Sequence, residues 1–274
     1  MSRLPAAAKI NLALAVGGRR PDGLHELVTV MQRVDLCDDV ELEAWPGLEV
    51  TGFPEDTIVR AALERLADAA GAPPAFRARI RKRIPVAAGL GGGSADAAAA
   101  LVLANRTLAS PLPRERLLAV AASVGADVPF FLEPGPKLAE GAGEQLTPLE
   151  LPQDYWVLIA LPRRAKKGST EEMYARFDEL GGASGFEGRR QALLEGLAAV
   201  RRPRDFSAFP ANDFSEAAGP VPFVQEFRAA GAFRADLSGA GPAVYGLFHR
   251  LEQARATAKR FRGEARTWVA APVW

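Results

Sequence analysis

The chain contains a single cysteine, Cys37, in 274 residues. No disulfide can close within it, and a zinc site built from several cysteines is excluded. Histidine is almost as scarce: His25 and His249 are the whole supply. No carboxylate–histidine pattern surrounds either, so no metal site is expected. An excess of one charge is also missing. Lys+Arg number 34 and Asp+Glu 33, a net charge of +1. That balance gives no basic field for nucleic acid. No unbroken apolar run reaches the roughly eighteen residues of a membrane span. The opening stretch MSRLPAAAKINLALAV is interrupted by Lys9 and Asn11 and lacks a signal-peptide layout, so it reads as a strand. These absences point to a reducing, cytoplasmic setting without membrane or nucleic-acid partners. They imply no obligate protein partner.

What is present is ordinary globular material: 48% hydrophobic and 24% charged residues. The length exceeds the usual single domain, so two domains are expected. A composition shift near Leu149–Gln153 sets the boundary, giving domains 1–152 and 153–274.

Periodicity predicts a strand over Lys9–Gly17, then a turn-rich loop to Gly23. Leu27–Leu36, Asp39–Ala44, Leu48–Thr51 and Ala75–Ile84 read as further strands. In Ala75–Ile84 the arginines alternate with Phe76, Ala78 and Ile80, as on a solvated strand face. Thr57–Ala70, Ser94–Asn105 and Arg114–Ser123 carry helical spacing. Beyond the boundary, Tyr155–Leu161 reads as a strand and Thr170–Leu180 and Gly188–Val200 as helices. Pro203–Asn212 reads as an irregular loop. Phe214–Ala230 is helical apart from Pro220 and Pro222. Two short strands flank a glycine cluster in Ala235–Phe248. The helix Leu251–Arg262 and the strand Thr267–Val273 close the chain.

The most informative stretch is PVAAGLGGGSADAAAA. Gly89, Gly91, Gly92 and Gly93 crowd into five positions. Glycine inside a helix or strand costs about 0.5–1 kcal/mol relative to alanine, so such a cluster serves a backbone need. Ser94 and the alanines behind it open a helix, with Ser94 and Asp96 suited to its start. The first N–H groups of a helix lack partners and its dipole is positive there, so the segment describes an anion site suited to a polyphosphate. It is not a P-loop, because Gly93 stands where that motif needs lysine. Nor is it a dinucleotide fingerprint. Its third glycine position is Ser94, and RARIRKRI before it is too charged for a buried parallel strand.

PVAAGLGGGSADAAAA resembles the second motif of the GHMP kinase superfamily. PAAAKINLALAVGGRRPDGLHELVTVMQRVDLCD resembles its first motif and LSGAGPAVYGLF its third. The RRPDGLHE block and ADVPFFL at Ala126–Leu132 single out the branch whose acceptor is a cytidine diphosphate-linked polyol. The blocks stand in the right order and span nearly the whole chain. The resemblance implies an α+β fold in two parts, the first like the second domain of ribosomal protein S5 and the second ferredoxin-like. It implies ATP as phosphoryl donor, with Mg²⁺, and the 2-hydroxyl of the polyol as acceptor in the non-mevalonate isoprenoid route. By the same resemblance the triphosphate lies on Pro85, Val86, Ala87, Ala88, Gly89, Leu90, Gly91, Gly92, Gly93, Ser94 and Ala95.

Asp127 matches the catalytic aspartate and Lys9 its partner. An alcohol must lose its proton as the P–O bond forms, and a carboxylate within reach can accept it. Lys9 suits three roles: acid, orienter or counter-charge. Asn11, His25, Tyr174 and Gly239 are the implied substrate contacts, with His25 on the cytosine. Leu24 stands where the family often has a tyrosine stacked on that ring, and Tyr174 is the ring implied for the other face. Ala240 replaces a frequent serine of the third motif. Three other readings compete: another GHMP kinase, a regulator that binds nucleotide without turnover, and a nicotinamide-dependent dehydrogenase. The RRPDGLHE block, the Lys9–Asp127 pair and the missing third glycine argue against them in turn.

Overall fold

The computed structural model describes residues 1–164 and 168–274. In chain order the elements are β1 (Ser2–Arg19), β2 (His25–Ala44), β3 (Leu48–Thr51), α1 (Ile58–Ala70), β4 (Phe76–Arg81), α2 (Gly92–Asn105), α3 (Arg114–Val124), α4 (Val128–Leu132), β5 (Lys137–Glu140), β6 (Gln145–Pro148) and β7 (Trp156–Pro162). Then follow α5 (Thr170–Glu179), α6 (Phe186–Ala199), a 3-10 turn (Pro203–Ala208), α7 (Phe214–Ala217), α8 (Val224–Ala229), β8 (Arg234–Leu237), β9 (Val244–Phe248), α9 (Leu251–Arg260), β10 (Ala265–Ala270) and β11 (Pro272–Val273). No helix among the described residues is long and apolar enough to cross a membrane.

Two compact units emerge. The first comprises Met1–Ala8, Leu36–Val86 and Gly91–Pro134. In it β4 pairs antiparallel with the last part of β2, from Asp39 opposite Arg81 to Ala44 opposite Phe76, and parallel with β3. Phe76, Ala78 and Ile80 point inward while Arg79 and Arg81 face solvent, the alternation that a half-buried strand requires. Arg77 on the outer face pairs with Glu43 and Glu49 and lies over the Trp45 ring. Helix α1 turns Val59, Ala62, Leu63, Leu66 and Ala67 inward and ends at Gly71 in the left-handed region. Helix α2 packs on both α1 and α4. Its alanines are buried from Ala95 to Ala104, and their small side chains let neighbouring helices approach. Leu101 and Leu103 add about 1.5–3 kcal/mol each on burial.

The second unit comprises Lys9–Asp35, Ala87–Leu90 and Gly135–Trp274. Thr29–Met31 of β2 pairs with β5, β5 pairs with β6, and β11 pairs with β2. A separate antiparallel sheet has the order β10-β7-β9-β8. Its core joins Leu158, Ala160, Leu237, Val244 and Phe248 to the rings of Phe177, Phe214, Phe223, Phe227 and Phe261.

Most expected elements appear near their predicted bounds. The strands expected at Leu27–Leu36 and Asp39–Ala44 are one continuous β2. The β5–β6 hairpin went unpredicted because each strand has only four residues, too few to show a period. Pro203–Asn212 begins with a 3-10 turn, not an irregular loop throughout. Phe214–Ala230 divides into α7 and α8 around Pro220 and Pro222, where a helix loses donors. The expected domain boundary cuts the chain once at 152/153, whereas each compact unit is assembled from three separate segments of the chain and both draw on the first 152 residues.

Candidate active site

In the second unit, Lys9 is buried in β1. Its ammonium donates to Asn11 Oδ1 at 2.6 Å. Asn11 Nδ2 donates to Thr29 Oγ1 at 2.8 Å, and Thr29 donates to the Ala13 carbonyl at 2.7 Å. This relay fixes the amide orientation, because Thr29 can accept only from the NH₂ side. It presents an oxygen to Lys9. Lys9 and Asn11 thus form a buried polar pair. The Lys9 backbone N–H also bonds the Leu90 carbonyl at 3.0 Å, tying β1 to the glycine loop.

Gly239 joins the same cluster. A Cβ there would lie 3.3 Å from Asn11 Oδ1 and 3.4 Å from Lys9 Nζ. Its turn is held by buried Asn212, whose Nδ2 donates to the Leu237 carbonyl at 3.0 Å and the Gly239 carbonyl at 2.8 Å. The sequence reading did not single out Asn212. It sits in a loop without periodicity, and only the fold carries it to β8.

The glycine loop and the third motif are in direct contact. Ser238 Oγ donates to the Gly89 carbonyl at 3.0 Å, and the Ala243 amide donates to the Ala88 carbonyl at 3.1 Å. Gly89 has φ +77°, and a Cβ on it would fall 2.0 Å from the Ser238 carbonyl oxygen. Only glycine satisfies both constraints. Ala87 takes φ +52° without being glycine, a strained backbone of the kind found at ligand sites.

In the first unit, α2 begins at Gly92, two residues before the expected start, with Gly91 in the capping position and no side-chain cap. Ser94 is thus the third helical residue, half-buried in the first turn. The amides of Gly92, Gly93 and Ser94 have no intrahelical acceptor by geometry. These N–H groups and the serine hydroxyl suit an anion. Among the described residues, no group of three or more His, Cys, Asp and Glu could hold a metal ion.

Asp96 departs from its expected role. It lies beyond the first turn, is 2% exposed, and accepts from Lys82 Nζ at 2.7 Å. Lys82 also donates to buried Asp38. Burial pushes the Asp96 carboxyl up to about 7, with Lys82 opposing and Asp38 adding to the rise. Burial alone would lower Lys82, but the two carboxylates outweigh it and hold the ammonium above the usual lysine range. The sequence reading missed this cluster because Lys82 lay within a basic run that alternates like a solvated face.

Asp127 stands at the capping position of α4, half-buried, yet its side chain makes no cap.

His25 and Tyr174 meet in the second unit. Their rings stack with centroids 4.5 Å apart and planes at 24°. Tyr174 also meets Phe214 edge-on at 4.9 Å. His25 Nε2 lies 2.8 Å from Asp178 Oδ1, and Arg19 bonds the other oxygen of Asp178 at 3.1 Å. The His25 hydrogen bond, chiefly, holds the Asp178 carboxyl below the usual range. Asp178 follows Tyr174 by four residues on α5, one face of a helix, and that spacing was the legible signal. Leu24 is 54% exposed.

The pattern described as GHMP kinases N terminal domain matches residues 57–135, and the GHMP kinases C terminal pattern matches 221–265. A 4-diphosphocytidyl-2-C-methyl-D-erythritol kinase of Geobacter sulfurreducens is 38% identical over 283 residues, covering 98% of this chain and 97% of the relative. The protein of the same name from Gloeobacter violaceus is 38% identical, covering 96% and 90%. A crystal structure of 4-(cytidine 5'-diphospho)-2C-methyl-D-erythritol kinase superposes with a TM-score of 0.80 at 31% identity, over 100% of both chains. A mevalonate kinase structure gives 0.76 at 13% identity, covering 100% of this chain and 99% of that one, and shows the shared fold alone. The chain belongs to the GHMP kinases, with their α+β fold, and within them to the 4-diphosphocytidyl-2-C-methyl-D-erythritol kinase family.

Proposed function

We propose that this chain transfers the γ-phosphoryl group of ATP to the 2-hydroxyl of 4-diphosphocytidyl-2-C-methyl-D-erythritol, a step of the non-mevalonate route to isoprenoid precursors. The observation that carries this reading is the 38% identity to kinases of that name over 98% of the chain.

Phosphoryl transfer rests on positioning and charge neutralisation more than on covalent chemistry. The segment Pro85–Ala95 is read as the triphosphate cradle. Ser94 and the amides at the start of α2 are its donors, and Gly91 and Gly93 allow close backbone approach. Mg²⁺ would enter on the phosphate oxygens and supply charge neutralisation, which agrees with a donor set suited to anions. Asp127 accepts the proton of the acceptor hydroxyl. Lys9, held by Asn11, steadies negative charge at the reacting oxygens. Gly239 leaves room beside that lysine for the polyol. His25 and Tyr174 take the cytosine end, with His25 held by Asp178.

An ADP-release assay with ATP, Mg²⁺ and four acceptors tests the reading. Release is expected with the cytidine-linked alcohol and not with mevalonate, homoserine or galactose. Release with one of those instead would discard the substrate assignment. Lys9→Ala and Asp127→Ala are each expected to remove at least about 99% of turnover while the fold persists, as for groups that touch the reacting atoms. Near-normal turnover in either would remove that residue from its role.

A further inference from the structure

The cluster of buried Asp38 and Asp96 with half-buried Lys82 is not used by the mechanism above. Asp38 is fully buried at the start of the Asp39–Ala44 pairing with β4. Its Oδ1 accepts the backbone N–H groups of Arg83 and of Ile84, the latter at 2.8 Å. Those two residues immediately precede Pro85, where the glycine loop begins. Its Oδ2 accepts from Lys82. The Lys82 ammonium then reaches Asp96 Oδ2 at 2.7 Å, on α2, where the loop ends. Gly92 makes the approach feasible. A Cβ there would lie 2.9 Å from the Ile84 side chain and 3.3 Å from Lys82 Nζ.

One ammonium thus serves two buried carboxylates. Asp96 Oδ1 is buried with no hydrogen-bond partner. Burying such a group is costly, and apolar residues of similar size commonly serve stability as well or better. A cluster that is poor as a stabiliser and spans both ends of one loop has a geometric use.

We propose that Asp38, Lys82 and Asp96 form a latch that holds the two ends of the glycine loop in the arrangement that receives the triphosphate. The three are positioning residues: they act through the backbone of Arg83–Ser94. The inference rests on the reading of that loop as the ATP cradle.

The test is ATP binding by calorimetry without acceptor, alongside steady-state kinetics. Asp96→Ala breaks the bridge at its far end. It is expected to weaken ATP binding and raise KM for ATP about tenfold or more, with KM for the acceptor within about threefold of wild type. Asp96→Asn keeps an oxygen for Lys82 and is expected to restore most of the ATP affinity. If Asp96→Ala does not fold, Asp96→Ser carries the same expectation, because its hydroxyl is too short to meet Lys82. A folded Ala or Ser variant that binds ATP as wild type does overturns the latch and leaves the cradle standing. Equal losses for Asn and Ala also overturn it. Wild-type protein that binds no ATP overturns the cradle and the latch together.

Discussion

GLGGGS at Gly89–Ser94 and SGAGP at Ser238–Pro242 look alike as sequence and do different work. The first leads into a 14-residue helix and offers amides at its start. The second closes a hairpin between β8 and β9, where the Gly241 amide bonds the Ser238 carbonyl at 2.9 Å. The first is read as touching a ligand; the second buttresses the first and lies beside Lys9. Glycine density therefore reports a need for backbone closeness without saying whether the close neighbour is a ligand or another loop. In Gly89 that neighbour is protein: the Ser238 carbonyl occupies the space of its missing Cβ.

That contrast can be broken at graded points. Gly89→Ala is expected to have the largest effect. It forces an L side chain to φ +77° and onto a backbone oxygen 2.0 Å away. Left-handed backbone and overpacking together cost about 3–5 kcal/mol, enough to unfold a marginal protein, and urea denaturation would register it. Gly241→Ala also has positive φ, +71°, but its Cβ would meet the Leu237 side chain at 2.7 Å, and a side chain can move. The expected loss is about 1–3 kcal/mol in the same assay. An equal loss in the two variants would mean that the backbone contact at Gly89 is not what separates the clusters. Ser238→Ala removes the hydroxyl that bonds the Gly89 carbonyl. A loss of about 1 kcal/mol is expected, seen as a small shift in the unfolding midpoint.

A fourth experiment uses pH, since only the first cluster has a strongly shifted acid at its back. Asp96 is raised from 3.8 to about 7 in the folded chain. Between those values the folded state holds a proton that the unfolded state has released. Its contribution to stability is therefore present at acid pH and falls as pH rises through that window. Asp96→Asn should lose this slope, and unfolding midpoints measured from about pH 4 to pH 8 would show the difference. Parallel curves for the two proteins would mean that Asp96 titrates near its ordinary value.

Much of this site could be read in the sequence because its signals are local. The glycine cluster, the serine at the helix start and the alternating β4 arginines each reflect backbone rules that act over a few residues. The Lys9–Asn11 pair was legible for the same reason. In an apolar strand, two polar residues two apart point to one face, and their bond follows. His25 and Tyr174 were implied one at a time by resemblance; their stacking between positions so far apart in sequence was not.

The sequence by itself determined the class of protein, the order of its blocks, most of its helices and strands, and the loop that is read as receiving phosphate. Helical spacing, turn chemistry and glycine need are properties of short segments. The tertiary structure decided the rest. It carried Asn212 to the Gly239 turn and Asp178 to His25, and it turned Lys82 from a member of a basic run into the shared partner of Asp38 and Asp96. Each of these depends on burial and on pairing between distant segments. A charge's meaning is set by what surrounds it in space, and no local pattern holds that information.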